Sequence, residues 1–318
     1  MPDTPRLSTA AKIGLAAAAL GAAALFNRQQ TRQAEAETPP AGKFVEVDGV
    51  RLHYVEKGDG PVLVLIHGMG ALVQDFLGSG LVERLSAGNR VLAFDRPGYG
   101  YSERPGSGWT PEKQAGLLRA ALDTLGVKRP VLVGHSWGTL VALAYALDHP
   151  DEVAGLALLS GYYFPTARPD PLLLSGPAIP YAGAVVANTV SPLVARATKP
   201  AVFRKIFAPD PVPEGFEQLF PSRLAMRPGQ LRAASGDAAQ LQLAAIRLSK
   251  RYRELTLPIA IAAGTGDKIV AFDQAERLHA ALPHSSLHVG EDAGHMIHWV
   301  RPDVAVAAIE AASAGRVG

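Results

Sequence analysis

The sequence predicts an α/β fold: a mostly parallel sheet of eight strands flanked by helices, with a helical cap inserted after the sixth strand. Strand-like and helix-like segments alternate from residue 43 to residue 160, which is typical of a parallel sheet wrapped by helices. Residues 161–250 contain proline-rich loops and helical patches instead, and they are predicted to form the cap. The alternation then resumes, so residues 43–160 and 251–318 are predicted to form the core.

The composition is that of a globular protein, with 48% hydrophobic and 19% charged residues among 318. That length is enough for one sizeable α/β domain with an insertion. The 31 basic and 29 acidic residues are spread without blocks, so no nucleic-acid partner is expected. The absence of cysteine excludes disulfides, thiolate metal sites and a cysteine nucleophile. The nine histidines form no metal-binding motif, so no metal site is expected.

Residues 1–42 are predicted to be an N-terminal segment and linker outside the folded core. Residues 13–26 are uncharged and apolar. As a helix they would span roughly 21 Å, short of the roughly 30 Å hydrocarbon core of a bilayer. This length suits the apolar region of a secretory signal, with Arg6 and Lys12 as its positive flank. The small residues at 34–36 offer a cleavage site.

The same segment also has features of an uncleaved membrane anchor. The candidate cleavage site lies ten residues beyond Phe26, and Arg28 and Arg32 place positive charge on the wrong side for a signal. We therefore expect either export, as a periplasmic or secreted protein, or membrane association through residues 13–26. The alternative is a cytoplasmic protein whose alanine-rich helix packs on the domain or lies in solvent.

Local patterns predict the first elements of the core. Residues 43–58 predict a hairpin, because apolar positions alternate on both sides of an Asp48-Gly49 turn. Residues 61–68 are almost continuously apolar, as in a strand that is covered on both faces. A helix is expected from about Phe76 to Ser86, followed by a strand at residues 90–94.

The remaining elements continue this alternation. Residues 110–126 predict a helix, because Thr110 can cap it, Pro111 occupies its first turn and Gly126 follows its end. Further strands are predicted at 129–134, 153–160, 257–267 and 284–290, and further helices from Ser136 to about Asp148, at 272–282 and at 295–314.

Ser136 lies between Gly134 and Gly138, where a predicted strand ends and a predicted helix begins. A serine hydroxyl is a weak nucleophile unless a base lies beside it and a third group orients that base. The two glycines allow strand and helix to approach closely, so the serine oxygen projects above the strand end. The helix N-terminus adds N–H groups that can stabilise an oxyanion. Taken alone, the motif is only moderately specific, because a Gly-Ser turn that caps a helix is common.

With four further motifs, the chain from residue 43 onward resembles the α/β-hydrolase fold family. The motifs follow in the family's order: HGMG at 67–70, DRPGYGYS at 95–102, GHSWG at 134–138, GTGD at 264–267 and AGH at 293–295. The resemblance implies that Ser136 is the nucleophile, His295 the general base and Asp267 the acid that orients the imidazole. It also implies an oxyanion hole formed by the backbone N–H groups of Met69 and Trp137, with their side chains lining the acyl pocket, and no cofactor.

Other acids and histidines are rivals for these roles. Asp292 is close to His295 in sequence and is interpreted as loop structure. Asp273 is interpreted as the N-cap of the helix that follows it. His298 lies one helical turn beyond His295 and is interpreted as packing or pocket lining.

Residues around the motifs are assigned to scaffold or pocket. His67 and His135 flank the site and are interpreted as hydrogen-bonded scaffold, and His67 is also a candidate pocket residue. Asp95 is expected to shape a turn beneath the pocket. The candidate pocket residues are His67, Tyr162, Tyr163, Phe164 and His298.

The cap is expected to select the substrate. Its apolar side chains favour an acyl or aryl group over a sugar or a polyanion, although most of them are also suited to packing the cap on the core: Tyr162, Tyr163, Phe164, Leu172 to Leu174, Phe203, Phe207, Phe216 and Phe220. Haloalkane dehalogenases and epoxide hydrolases of this family carry an aspartate at the position of the nucleophile, whereas this sequence has Ser136 there.

We therefore expect a serine hydrolase that acts through an acyl-enzyme on a small to medium hydrophobic carboxylic ester. A C–C bond hydrolase and a cofactor-free perhydrolase are the alternatives within the enzyme class. A slow-turnover ligand-binding receptor that retains the triad is the alternative from another class. The oligomeric state cannot be read from the sequence.

Overall fold

The computed structural model describes residues 8–166 and 182–314. Eight strands form one sheet in the order β1-β2-β4-β3-β5-β6-β7-β8. Strand β2 is antiparallel to β1 and β4, and all other pairs are parallel. The strands are β1 (Lys43–Val47), β2 (Val50–Lys57), β3 (Val62–Ile66), β4 (Arg90–Phe94), β5 (Val131–His135), β6 (Gly155–Leu159), β7 (Ile259–Gly264) and β8 (Ser286–Gly290). The predicted fold class is confirmed.

Helices cover both faces of the sheet and form the cap. In the core they are α2 (Val73–Gly78), α3 (Leu81–Leu85), α4 (Pro111–Thr124), α5 (Gly138–Asp148), α11 (Asp273–Ala281), α12 (Ile297–Val300) and α13 (Pro302–Ser313), while α1 (Thr9–Glu37) precedes the sheet. Between β6 and β7, the described residues contain helices and no strand: α6 (Ala182–Thr189), α7 (Ser191–Phe207), α8 (Phe216–Leu219), α9 (Ser222–Ala225) and α10 (Pro228–Leu248).

The apolar runs of the central strands are buried because helices cover both of their sides. In β3, Leu63 and Leu65 pack on one face of the sheet, and Val64 and Ile66 pack on the other. This alternation follows from the two-residue repeat of a strand. Helices α4 and α5 contribute to one apolar layer, while α2, α3 and α13 contribute to the other. The sheet therefore holds its strand ends rigidly, which is where the predicted functional residues lie.

The predicted helix start at Thr110 is confirmed, whereas the predictions for residues 76–86 and for Asp273 were wrong. The Thr110 side chain accepts a hydrogen bond from the N–H of Lys113, with Pro111 in the first turn. The helix expected from Phe76 to Ser86 is two short helices, separated by Gly80 in the left-handed conformation. Asp273 is the first residue of α11 and does not cap it, since the N-cap residue is Phe272.

The last helix is also interrupted, contrary to the single helix predicted for residues 295–314. Helix α12 ends and α13 begins around Arg301, whose φ of −137° is not helical. Pro302 accounts for the break, because the proline ring disfavours the helical conformation at the residue before it.

The N-terminal helix α1 is longer than the apolar segment that the sequence marks. It has 29 residues, and an 18-residue window within it has a mean hydropathy of 1.6, with none of that window buried. By length and composition α1 could cross a membrane, and a signal sequence would pass the same test. Its C-terminal part differs, because Asn27 and Ala34 are buried against the body.

Candidate active site

Ser136 occupies the turn between β5 and α5 in a strained conformation. Its φ is 52°, in the left-handed region that non-glycine residues rarely adopt. Both flanking glycines are required by the packing: a Cβ at Gly134 would lie 2.7 Å from Cα of Thr139, and one at Gly138 would lie 2.2 Å from the carbonyl oxygen of Ile66. The turn therefore brings strand and helix together and leaves Ser136 partly exposed at the rim of the sheet.

The structure brings the three residues of the expected triad together. Asp267 follows β7 and His295 follows β8, so all three side chains meet at the carboxyl edge of the parallel strands. His295 Nε2 lies 2.9 Å from Ser136 Oγ, and its Nδ1 lies 2.8 Å from Asp267 Oδ2. The other carboxylate oxygen of Asp267 accepts the N–H groups of Ile269 and Val270 at 2.7 and 2.9 Å. The carboxylate is thus fixed on both sides, and the imidazole can accept the serine proton.

The rival acids lie elsewhere. Asp292 is exposed in the loop before His295, and its backbone N–H donates to Thr265 Oγ1 at 2.9 Å. The side chain of Asp273 is half exposed and lies 3.6 Å from Arg277 on the same helix. Neither carboxylate is placed beside the imidazole as that of Asp267 is.

The loop after β3 lies directly against Ser136. A Cβ at Gly68 would lie 3.0 Å from Cβ of Ser136, so a larger residue here would require one of the two segments to shift. Within the part of the chain that the structure describes, the backbone N–H groups of Met69 and Trp137 have no hydrogen-bond acceptor. Two unpaired N–H groups beside a nucleophile are what an oxyanion hole requires.

Two side chains orient the peptide group between Gly68 and Met69. The Gly68 carbonyl oxygen lies 2.7 Å from His67 Nδ1 and accepts Arg96 Nη2 at 3.1 Å. In a planar trans peptide the C=O and the N–H point in opposite directions. By holding this carbonyl, His67 and Arg96 turn the N–H of Met69 away from themselves and keep it free for a ligand.

A buried aspartate of the cap holds Arg96 in turn. Asp237 on α10 accepts Arg96 Nη1 at 2.7 Å and the Tyr99 hydroxyl at 2.7 Å, and its other oxygen accepts both terminal nitrogens of Arg104 at 3.1 Å. The side chain of Asp237 has no exposed surface. Sequence reasoning missed this network, because Asp237 belongs to no motif and lies 141 residues from Arg96.

Contrary to the expectation from the sequence, the Trp137 side chain does not line an acyl pocket. It is buried, its indole N–H donates to the Asp237 carbonyl at 3.1 Å, and the Arg96 guanidinium lies 4.5 Å from its ring centroid. Met69, in contrast, is 37% exposed.

Most of the candidate pocket residues are part of the scaffold. His67, Tyr163 and His298 have no exposed surface, and Tyr162 is almost fully buried, with its hydroxyl accepting the N–H of Thr166. Phe164 is half buried beneath the guanidinium of Arg277. In this conformation His67, Tyr163 and His298 thus pack beside the site and offer no contact to a substrate.

The cap aromatics mostly contact one another. Phe216 lies 4.8 Å from Phe207, 5.0 Å from Phe203 and 4.9 Å from Trp299 of the core, measured between ring centroids. This aromatic cluster packs the cap on the core. Residues Leu172 to Leu174, also expected in the cap, lie outside the described residues.

A group of buried polar side chains lies behind the triad. Among the described residues, Asp75, His135 and His298 form the one group of potential metal ligands, with ligand atoms within 4.8 Å of one another. Asp75 already accepts Trp299 Nε1 at 2.8 Å and lies 3.1 Å from His298 Nε2. Burial raises the pKa of Asp75, but His298, His135 and these hydrogen bonds outweigh it and hold the pKa at about 2. The cluster is therefore explained as a hydrogen-bonded scaffold around Asp75.

Burial lowers the pKa of His67 to about 4, and the charge of Arg96 acts in the same direction. The hydrogen bonds agree with a neutral ring, because Nδ1–H donates to Gly68 while Nε2 accepts the backbone N–H of Arg96 at 3.0 Å. A second proton would remove that acceptor.

Because the pKa of His67 is lowered in the folded protein, we expect the free energy of unfolding to decrease in acid. Between pH 6.5 and about 4 the unfolded chain binds a proton at His67 that the folded chain does not, so stability falls as the pH falls through this window. A shift of this size corresponds to about 3 kcal/mol. Urea unfolding over this pH range should show the decline, and it should be smaller in His67→Gln. The exposed His284→Gln should decline like the parent protein, and an equal decline in both variants would contradict the assignment.

One large cavity of the described structure lies away from the triad. Its volume is about 1010 Å³, and it lies between α1, the loop around Trp109 and α10. Arg28, Arg227 and Arg232 are among its lining residues, but Ser136 is not.

Comparison with known proteins agrees with this architecture. An uncharacterized protein of Mycobacterium tuberculosis is 29% identical over 276 residues, covering 81% of this chain and 76% of that protein. A 2-hydroxy-6-oxononadienedioate/2-hydroxy-6-oxononatrienedioate hydrolase of Klebsiella pneumoniae is 28% identical over 284 residues, covering 85% and 94%. The crystal structure of an enol-lactonase from Burkholderia xenovorans matches with a TM-score of 0.71 at 24% identity, covering 84% and 98%.

The family model for the alpha/beta hydrolase fold matches residues 61–302, most of the chain. This range contains β3 to β8, the serine turn and the loops that carry Asp267 and His295. The chain belongs to the α/β hydrolase fold family and is a hydrolase.

Proposed function

We propose that this hydrolase cleaves a small to medium hydrophobic carboxylic ester through an acyl-enzyme on Ser136. The observation that carries the proposal is the hydrogen-bonded chain from Asp267 through His295 to Ser136, with 2.8 and 2.9 Å between the paired atoms. A nucleophile, a base within hydrogen-bond reach and a group that orients the base are the parts this chemistry needs.

The geometry defines a sequence of steps. As Ser136 Oγ bonds to the ester carbonyl carbon, its proton passes to His295 Nε2, and the carbonyl oxygen becomes an oxyanion between the N–H groups of Met69 and Trp137. Collapse breaks the C–O bond, and the leaving alcohol takes the proton from His295. A water molecule then gives a proton to His295 and attacks the acyl-enzyme. The carboxylic acid leaves and Ser136 regains its proton.

Labelling and turnover test the proposal together. A fluorophosphonate should form an adduct on Ser136, located by mass spectrometry of the digested protein. In a series of p-nitrophenyl esters from acetate to decanoate, activity should be highest on the shorter half, because the site is expected to take small to medium acyl groups. Labelling without hydrolysis of any of these esters would overturn the ester assignment and leave the nucleophile in place.

C–C bond hydrolysis is the second candidate, favoured by the Klebsiella pneumoniae hydrolase, which this chain matches over 94% of its length. The name of that relative indicates a 2-hydroxy-6-oxo dienoic or trienoic diacid as its substrate. Such compounds should be assayed beside the esters. A higher kcat/KM on the diacids than on every ester would favour this second candidate.

The contact from Asp237 to Arg96 predicts that the cap supports catalysis. Asp237→Asn removes the charge between the buried guanidinium of Arg96 and the partly buried guanidinium of Arg104, which should lower the free energy of unfolding by roughly 3 kcal/mol or more. Because Arg96 would hold the Gly68 carbonyl less firmly, kcat should fall roughly tenfold to a hundredfold with little change in KM. Denaturant unfolding and steady-state kinetics measure the two effects.

Asp303→Asn is the matched control, since Asp303 pairs with Arg84 at 2.7 Å on the surface. Exposed pairs contribute little, so neither stability nor kcat should change appreciably. Loss of stability in Asp237→Asn with unchanged kcat at a temperature where the variant is folded would limit Asp237 to a structural role.

We also propose that α1 is an uncleaved membrane anchor. Cleavage after residues 34–36 would cut within the helix and remove Asn27, which is buried and bonded to the cap. These contacts favour retention over removal. N-terminal sequencing of the native membrane-bound protein should begin before residue 9, whereas a start near residue 37 would identify a signal peptide.

A further inference from the structure

Helix α1 consists of two halves with different surroundings. Residues 9–26, here called the anchor half, are apolar apart from Thr9 and Lys12 at their start and are largely exposed. Residues 27–37, the docked half, pack on the cap, with Asn27 and Ala34 buried. Both halves belong to one continuous helix. The direction in which the anchor half leaves the body is therefore set by the contacts of the docked half.

Polar contacts fix the docked half where it meets the anchor half. Asn27 Nδ2 donates to the carbonyl oxygens of Asn188 and Thr189, at 3.0 and 2.8 Å, where α6 ends. Arg196 of α7 donates to Asn27 Oδ1 at 2.8 Å, and its guanidinium lies 5.4 Å from the ring centroid of Phe26. The first turns of α7 and the last turn of α6 are thus beside the point where the anchor half begins.

The far end of the docked half is held as well. Glu37 accepts Arg223 Nη1 at 2.7 Å, and Glu35 accepts Arg227 Nη1 at 2.7 Å. Contacts at both ends prevent the docked half from turning on the cap. The cap and the anchor half therefore have a fixed relative orientation.

Around this junction the cap exposes apolar side chains. Five residues within about two helical turns of the Asn27 contacts are each 40 to 53% exposed: Val185, Val186, Val190, Leu193 and Val194. We call these five residues the cap face. A concentration of exposed apolar side chains within two helix ends is typical of an interaction site.

The cations at the junction point to the chemistry of the partner. Arg28 and Arg32 follow the anchor half directly and are exposed. Neither forms an ion pair or a side-chain hydrogen bond within residues 8–166 and 182–314. Cationic side chains next to an apolar segment are attracted to the anionic headgroups of a bilayer.

We propose that the cap face rests in the interfacial layer of an anionic bilayer into which the anchor half inserts. This inference rests on the proposed anchoring through α1. The anchor half spans roughly 27 Å, close to the roughly 30 Å of hydrocarbon. Its uncharged residues 13–26 would lie in the interior, the Lys12 side chain would extend to the far headgroups, and Asn27 would lie at the near boundary. The cap face, fixed beside Asn27, then enters the layer where apolar side chains are buried beneath the headgroups.

The absence of cysteine allows a direct test with single labels. Val190→Cys and Val194→Cys carry an environment-sensitive fluorophore in the full chain, reconstituted in phosphatidylcholine and phosphatidylglycerol vesicles. Val289→Cys on strand β8 is the matched control, because Val289 is also an exposed apolar residue. Lipids with a nitroxide just below the headgroup should quench the labels at 190 and 194 several-fold more strongly than the label at 289.

A label at Leu15→Cys separates this proposal from the one on which it rests. If a deep nitroxide quenches Leu15 while the labels at 190 and 194 behave like the control, the cap face does not touch the bilayer and only the anchor stands. If Leu15 is not quenched, the anchor fails and this proposal fails with it. Fluorophosphonate labelling of Ser136 in the same samples reports on the hydrolase site independently of either result.

Discussion

Ser136→Ala should lower kcat by roughly a million-fold on any substrate that the protein hydrolyses. In the proposed mechanism the acyl group bonds to this oxygen, and no other hydroxyl is placed 2.9 Å from His295 Nε2 among the described residues. Alanine retains the Cβ atom and the packing of the turn, so the fold should persist. Steady-state kinetics and fluorophosphonate labelling measure the loss, with circular dichroism as the check on folding.

Ser160 provides a closely matched control for this variant. It directly follows β6 as Ser136 directly follows β5, and its φ of 47° is also left-handed. Its side chain is buried and lacks a hydrogen-bond partner in the described structure, so it has no base beside it. Ser160→Ala should retain both labelling and turnover. Full activity in Ser136→Ala, or labelling that persists there, would exclude the acyl-enzyme.

Those parts of the fold that depend on local patterns could be predicted from the sequence. Strands β3 and β6 are apolar along their length because helices cover both faces, and such runs are recognisable without partners. Parallel strands all present their carboxyl ends at one edge. Residues 136, 267 and 295 follow three such ends, which is why their proximity could be predicted from the order of the motifs.

Contacts between the cap and the core could not be predicted. Asp237 lies in the middle of a cap helix, where an aspartate usually faces solvent, and only the fold brings it to Arg96. The sequence lists the aromatic residues of the cap, but it does not reveal that their rings pack against one another. The break at Arg301 is different, because Pro302 was a readable signal for it.

Asp267→Asn should reduce kcat by about ten-thousand-fold through the wrong imidazole tautomer. Two backbone N–H groups, those of Ile269 and Val270, point at one side-chain oxygen of residue 267. The oxygen of an asparagine would stay with these donors, so its NH₂ group would face His295 Nδ1. His295 Nδ1 would then have to accept a hydrogen bond from this NH₂ group. The ring proton would therefore lie on Nε2, and Ser136 would have no base. Kinetics on the best ester of the series would measure this.

The rival acids give the controls that make this result specific. Asp292→Asn changes an exposed loop residue, and Asp273→Asn changes a half-exposed residue at the start of α11, so both should leave kcat unchanged. If Asp292→Asn instead lost as much activity as Asp267→Asn, the carboxylate that orients His295 during turnover would not be the one 2.8 Å from it here. The assignment of Ser136 as the nucleophile would stand in that case, because the fluorophosphonate adduct is located by mass spectrometry and does not depend on these kinetics. The two aspartate results therefore decide how the base is held, and the serine result decides which atom it activates.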